Sequence, residues 1–347
     1  MTRIARVEGV GADPYAGRRR WLTAVVVPLL VLAGWGGLSL GAVPVPVAEV
    51  LGVLSRKIGI GWFTEPSAQA EAVVWGIRMP RLLLGLTVGA ALALIGGVLQ
   101  GLLRNNLADP HLLGIGPGAA IGAAIGSSAG GVQGAIAGGV AAGVITAFAL
   151  RRLARKASID PTRIILSGVA LGAALSAWVG FVVFAADRAT VPPIDFWLLG
   201  SLAGSTWRAF GTVLVFVLLA MTVLLSTARV LDMLSLGEAD ARHLGIDVDL
   251  VRTVVLITVG AGVGATVGAV GVIAFVGLLV PFTIVRMTGP HHRHLLTGAL
   301  AVGALFVAAS DLVARLAIQP IEIPVGLVTA AVGGPVFLWL LTKRRDV

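Results

Sequence analysis

Apolar runs of membrane-spanning length follow one another along this chain, and its basic residues collect in every second gap between them. Residues 82–103, 164–186, 209–228 and 295–310 carry no charged side chain. A helix crossing the hydrocarbon layer needs about 20 apolar residues, and in lipid every backbone amide must find its partner within the segment. The pattern therefore predicts an all-α, polytopic membrane protein. With 57% apolar and 12% charged residues, the composition lies far from that of a soluble domain, where charged residues make up about 25%.

Hydropathy and turn residues divide the chain into ten spans, near 21–42, 82–103, 115–131, 132–150, 164–185, 208–227, 251–270, 272–287, 295–317 and 324–342. The pairs within 115–150 and 251–287 leave little chain for two crossings each, and one long helix with a re-entrant piece is the alternative there. The domain reading is a cytoplasmic N-terminal segment over 1–20, a single transmembrane domain over 21–342 and a cytoplasmic tail over 343–347. Arg18-Arg19-Arg20-Trp21 before an apolar run has the look of a targeting signal. No small-x-small cleavage site closes it, so a retained first helix is expected. Of the 26 Lys and Arg, seven (Arg56, Lys57, Arg78, Arg81, Arg188, Arg208 and Arg315) fall in the gaps assigned outside. The rest sit inside, which puts both termini in the cytoplasm, with the chain in a bacterial cytoplasmic membrane. That asymmetry accounts for the net charge of +9 without a nucleic-acid partner, for which no soluble basic face is long enough.

The 47 glycines suit helices that approach closely, since lipid offers little hydrophobic drive for association. They recur at every fourth position from Gly114 to Gly138, and again at Gly260, Gly264 and Gly268, marking flat packing faces on at least two spans. Without cysteine there is no disulfide, thiolate metal site or thiol nucleophile. No HExxH zinc motif occurs, and the only lysines, Lys57, Lys156 and Lys343, follow no glycine-rich phosphate loop, so ATP is not hydrolysed by this chain. No cofactor and no metal is implied. His291, His292 and His294 share one turn without acidic sequence neighbours and read as solvated rather than metal-binding.

Two inside segments are too patterned for plain connectors. In 228–252, Gly237 and Gly245 bracket a short acidic-basic piece in which Glu238 and Arg242 stand at i,i+4, the spacing of a solvent-facing helical turn. It reads either as a helix that docks in a partner's groove or as a solvated loop. The other, 104–116, follows Gln100 and is rich in turn formers: Asn105, Asn106 and Asp109-Pro110.

Several motifs, taken together, carry a resemblance. Arg78-Met79-Pro80-Arg81, Val88-Gly89-Ala90-Ala91-Leu92-Ala93 with Gln100, and Leu107-Ala108-Asp109-Pro110 with Leu113-Gly114 are three of them. The others are Phe196-Trp197-Leu198-Leu199-Gly200-Ser201-Leu202, Leu236-Gly237-Glu238 with Ala241-Arg242 and Leu244-Gly245, Phe275-Val276-Gly277-Leu278 with Pro281, and Pro324-Val325-Gly326. Over about residues 30–342 the chain resembles the FecCD-type permeases, the membrane subunits of ABC importers for iron chelates, haem and vitamin B12.

The resemblance implies a vitamin B12-importer-like fold of ten helices, with two copies, or a copy and a close paralogue, enclosing the path. It implies that 228–252 is a coupling loop, with Gly237, Glu238, Ala241, Arg242, Leu244 and Gly245 seated on one of two separate ATPase subunits. It also implies that Arg78, Arg81 and Arg315, presented outward, dock an extracytoplasmic substrate-binding protein. Interfacial snorkelling, or for Arg315 an i,i+4 pair with Asp311, is the other reading. Gln100 and Asn105 are candidates for the translocation path, with helix-to-helix hydrogen bonding as the alternative. Phe282 after Pro281, Asn106 after Asn105 and His111 depart from the family pattern. The function expected is therefore binding-protein-dependent import, without covalent chemistry in this subunit. The cargo order is ferric siderophore, then haem, then cobalamin. An ion-coupled secondary transporter or channel is the alternative class.

Overall fold

The computed structural model describes residues 13–60, 63, 65–155, 161–185 and 195–342; the segments 1–12 and 343–347 of the domain reading lie outside them. Among the described residues all regular structure is helical. Helix α1 is Ala16–Ser39, α2 Val47–Ile58 and α3 Ala68–Glu71. A π-helical turn, Ala72–Arg78, joins α3 to α4, Met79–Leu102, giving one continuous helix of 35 residues. Then come α5 Ile115–Arg155, α6 Pro161–Ala185, α7 Asp195–Leu199, α8 Trp207–Ser226, α9 Ala228–Leu236 and α10 Glu238–His243. Helices α11 Val248–Val270, α12 Val276–Thr288, α13 His292–Leu316 and α14 Val325–Thr342 complete the bundle.

At 1.5 Å per residue, the 41 residues of α5 make a rod about twice as long as the ~30 Å hydrocarbon layer. The helix is broken accordingly. Gly130 (φ −151°) and Gly131 (φ 57°) leave helical geometry and fold it into two arms. The arms meet along Gly122 and Gly126 on one and Gly134 and Gly138 on the other, so closely that a methyl at any of the four would overlap the facing carbonyl oxygen. The second arm meets α11 in the same way, Gly139 against Gly264 and Gly143 against Gly260. The four-residue glycine period therefore makes two flat seams in a row, in the manner of small-residue interfaces in lipid.

Pro80 sets the shape of the helix before the bundle core. Inside a helix its ring collides with the carbonyl four residues back and it donates no N–H. The π-helical turn just before it opens the spiral, with the Met79 N–H reaching Val74 instead of Trp75. From there α4 runs through the centre of the molecule; 72% of its most apolar window is buried, against 22% for α1.

Among the described residues seven helices are long and apolar enough to cross a membrane, α1, α4 with its extension, α5, α6, α8, α11 and α13; α5 is folded into two arms, and α12 and α14 are shorter apolar helices. The segment read as helix 272–287 begins only at Val276. Residues 271–275 are non-helical, with Gly271 (φ 74°) and Phe275 (φ 67°) at positive φ. Non-helical backbone at membrane depth persists where protein supplies its partners. Here Val272 N–H donates to the Trp197 carbonyl (2.8 Å), Ser201 N–H to that of Val270 (2.7 Å) and Gly326 N–H to that of Gly200 (3.2 Å).

Both described chain ends meet beside Arg286. Arg18 reaches the carbonyl of Arg286 (3.5 Å), and Arg286 itself donates to the carbonyl of Leu340 (3.2 Å). This side is called the basic end below, and the opposite side the distal end. The sequence reading has no helix between residues 43 and 81. Helix α2 is found there, its Val50 and Val53 buried against Leu38 and Val74.

Candidate coupling, docking and path sites

At the basic end, α9 and α10 form a bent hairpin. Gly237 (φ 141°) makes the bend and Gly245 (φ 84°) releases the chain into α11, both at backbone angles that L side chains avoid. Glu238 and Arg242 do not pair with each other as their spacing suggests. Glu238 binds Arg252 on α11, and Arg242 reaches Asp249 at 3.5 Å, where Arg151 from α5 joins at 3.2 Å. Arg252 is almost wholly buried, so this is the hairpin's interior clip. A second clip comes from Asp232 on α9, whose Oδ1 accepts from both the backbone N–H (2.8 Å) and Nδ1 (2.7 Å) of His292 at the start of α13. His292 is thus neither solvated nor without an acidic partner; its carboxylate comes from 60 residues away. Ala241 is fully buried as the hairpin's foot. Leu236 (69% exposed) and Leu244 (62% exposed) stand out on either side of α10. Among the described residues no group of three His, Asp or Glu is placed to hold a metal ion.

At the distal end, the outward presentation of Arg78, Arg81 and Arg315 is corrected, because all three are buried and held within the chain. Arg81 binds Asp311 through Nε and NH2 (3.0 and 2.9 Å) and Glu322 through NH1 (2.8 Å). Arg315 pairs with Asp311 (3.2 Å) and donates to the Gly37 carbonyl at 3.2 Å. Arg78 donates to the carbonyls of Leu38 (2.6 Å) and Val43. A buried charge is tolerable only when paired and hydrogen-bonded. The α1 terminus, with its unpaired carbonyls, and Asp311 meet that need here. Gly41 leaves the room: a Cβ there would stand 2.9 Å from the Arg78 guanidinium. Glu322 is the half-exposed member of the cluster, with Ile318 and Ile321 exposed beside it.

The path candidates are both engaged in structure. Gln100 on α4 is buried, and its Nε2 donates to the carbonyls of Gly277 (3.3 Å) and Leu278 (3.1 Å). Asn105 closes an Asx turn, accepting from Leu107 N–H at 2.8 Å. The neighbouring Asp109 caps the next turn through Oδ1, bonded by the N–H groups of His111 and Leu112 (2.8 and 3.3 Å). This loop lies against the first turn of α12, where Gly277 leaves space for Asp109.

The model of the FecCD transport family matches residues 29–343. The chain belongs to that family. The permease is 38% identical over 308 residues to a cobalamin import system permease protein, BtuC, of Halobacterium salinarum, covering 88% of this chain and 81% of the relative. It is 36% identical over 301 residues to the vitamin B12 import system permease BtuC of Vibrio cholerae, covering 86% and 91%. A solved chain from a metal-chelate type ABC transporter in an inward-facing conformation superposes with a TM-score of 0.81 at 31% identity, covering 94% of this chain and 99% of that one. PsaBC from Streptococcus pneumoniae, at a TM-score of 0.51 and 17% identity, shares the fold alone. The protein is the polytopic membrane permease of an ABC importer of the FecCD/BtuC type.

Proposed function

We propose that the permease imports cobalamin or a closely related metal chelate, as a dimer driven by separate ATPase subunits that grip the α9–α10 hairpin. The names of the relatives move cobalamin ahead of ferric siderophore and haem, whose order in the sequence reading rested on family frequency. The observation carrying the mechanism is the hairpin itself. It is fastened to α5, α11 and α13 by the Asp249, Glu238 and Asp232 carboxylates and leaves Leu236 and Leu244 free for a partner. Movement imposed on α10 is passed through Arg252 into α11, and the Gly260 and Gly264 seam passes it on to α5.

In this reading the basic end is cytoplasmic, the membrane is that of a bacterium, and a substrate-binding protein docks at the distal end. Arg78, Arg81 and Arg315 support that docking as the stiff interior of the face and not as its surface, with Glu322, Ile318 and Ile321 in the contact. Gln100 and Asn105 support the path from its edge, where they fix the loop and the half-helix beside it.

The test is reconstitution of permease, ATPase and binding protein in proteoliposomes, with the binding protein loaded in turn with cobalamin, a ferric siderophore and haem. Cobalamin should give the largest stimulation of ATP turnover together with uptake. Stimulation by the siderophore alone overturns the cargo. Uptake that follows a proton gradient without any ATPase overturns the mechanism.

A further inference from the structure

At the basic end a cavity of about 250 Å³ opens between the close of α4, the far end of α9 and the start of α13. Buried Gln100, His292 and Leu295 form its floor, and exposed Arg104, Asn106 and Ser235 its mouth. On the floor Gln100 Nε2 is engaged by α12 carbonyls and His292 Nδ1 by Asp232. The polar groups of the mouth differ. Neither the Arg104 guanidinium nor the Asn106 amide has a partner among the described residues, and no Asp or Glu lines the cavity. Arg104 also holds φ +49°, a left-handed position just past the end of α4 that is normally filled by glycine. A strained non-glycine residue kept at such a place points to a use for its side chain. The start of α13 on the opposite wall is already capped, the His292 N–H donating to Asp232 at 2.8 Å, so the free donors of the site are those of the mouth alone.

We infer that this cavity is an anion site that takes a phosphate group, held by the Arg104 fork and the Asn106 amide. An unpaired guanidinium offers donors in the geometry of a phosphate's oxygens, and no Asp or Glu lines the walls, the carboxylate of Asp232 behind them being engaged by His292. The group belongs either to a small soluble phosphate or to a lipid head group, since both carry the same phosphate chemistry. The inference stands on the cavity alone and survives a change of cargo.

The full-length permease in detergent, unfolded thermally under intrinsic tryptophan fluorescence, provides the test. Sodium phosphate, titrated against sodium chloride at matched ionic strength, should raise the midpoint saturably. Arg104→Gly suits the left-handed backbone, so it should fold normally yet weaken the phosphate response about tenfold or more. Arg229→Gln, which removes an exposed cation of α9 outside the cavity, should leave the response intact. A second arm compares nanodiscs of phosphatidylglycerol with nanodiscs of phosphatidylcholine. A phosphatidylglycerol-specific rise that Arg104→Gly abolishes, with free phosphate inert, assigns the group to lipid and supports the site. Equal responses to phosphate and chloride together with equal nanodiscs overturn it, as does an Arg104→Gly protein that responds like the parent.

Discussion

Gln100 donates from its side-chain amide to the carbonyl of Gly277, and that carbonyl is the one Pro281 leaves without a helical donor. In α12 the Gly277 oxygen would ordinarily receive the N–H four residues on, which proline lacks. A polar side chain at membrane depth thereby completes a neighbour's backbone.

Replacing that amide should expose the debt. Gln100→Leu leaves a buried carbonyl unpaired, at a cost of about 1–3 kcal/mol. Pro281→Ala returns an N–H to the helix, so the double variant should be more stable than the sum of the single changes by about 0.5–3 kcal/mol. Thermal or denaturant unfolding of the four proteins in detergent measures this coupling. Strict additivity would sever the link between the two residues.

The Arg81–Asp311 contact makes a second prediction. Asp311 is 4% exposed and neutralises two buried guanidiniums, those of Arg81 and Arg315. Removing one partner of a buried pair leaves an uncompensated charge, worth about 3–5 kcal/mol. Asp311→Ala should therefore unfold far more readily than the parent. Glu322→Gln, at a half-exposed carboxylate, should shift stability by less than about 1 kcal/mol. Comparable losses for the two would mean that the cluster is not organised around Asp311.

The glycine seams predict opposite signs for chemically identical changes. Gly264→Ala drives a methyl into the Gly139 carbonyl and should destabilise by about 1–3 kcal/mol through overpacking. Gly211→Ala, on α8 with nothing within 4 Å of the added methyl, should be neutral or stabilise by up to about 1 kcal/mol. Unfolding midpoints of the pair decide the matter. A benign Gly264→Ala would show that α5 and α11 stand further apart than their backbones indicate.

Much of this architecture was readable from residues 13–342 before any coordinates. Apolar length placed α1, α8, α11 and α13 within a few residues, and the glycine period marked both seams, because in lipid those properties are themselves the driving terms. The break in α5 falls at Gly130-Gly131, inside the stretch where two crossings were required. The non-helical piece 271–275 was not readable, since apolar residues buried on every side look alike whether helical or not, and Phe275 gives no sign of its left-handed φ. Helix α2 did leave a sign: Val50, Val53 and Leu54 repeat at helical spacing on one face.

The site residues divide along a similar line. Backbone requirements such as Gly237 and Gly245 could be read locally, and both take the positive φ that a bend demands. Side-chain direction could not. Arg81 ends a hydrophilic gap and looks outward in sequence, yet its carboxylate lies 230 residues away on α13. Glu238 stands one turn from Arg242 but turns to Arg252, which the apolar packing of α11 against α5 brings within reach. Asp232 and Arg151 were missed for the same reason, their partners lying 60 and 98 residues away, while Asp249 and Arg252 lie only 7 and 14 residues from Arg242 and Glu238, beyond the turn at Gly245.

The hairpin gives the prediction that joins structure to coupling. Leu236 and Leu244 are mostly exposed, so replacing either with Asp removes little internal packing and should change the permease's own stability by less than about 0.5 kcal/mol. If the two leucines fill a groove on the ATPase, the same substitutions put a charge into an apolar contact and should weaken assembly by about 2 kcal/mol or more. Arg252→Ala differs in kind. It strips Glu238 of its buried partner and should loosen the hairpin itself, lowering transport per ATP hydrolysed while the complex still assembles. Co-purification of the ATPase, thermal unfolding of the isolated permease and the ratio of uptake to ATP turnover separate the cases. Leu236→Asp and Leu244→Asp proteins that bind the ATPase normally would move the contact elsewhere on the basic end, and an Arg252→Ala protein with an unchanged ratio would remove α11 from the route.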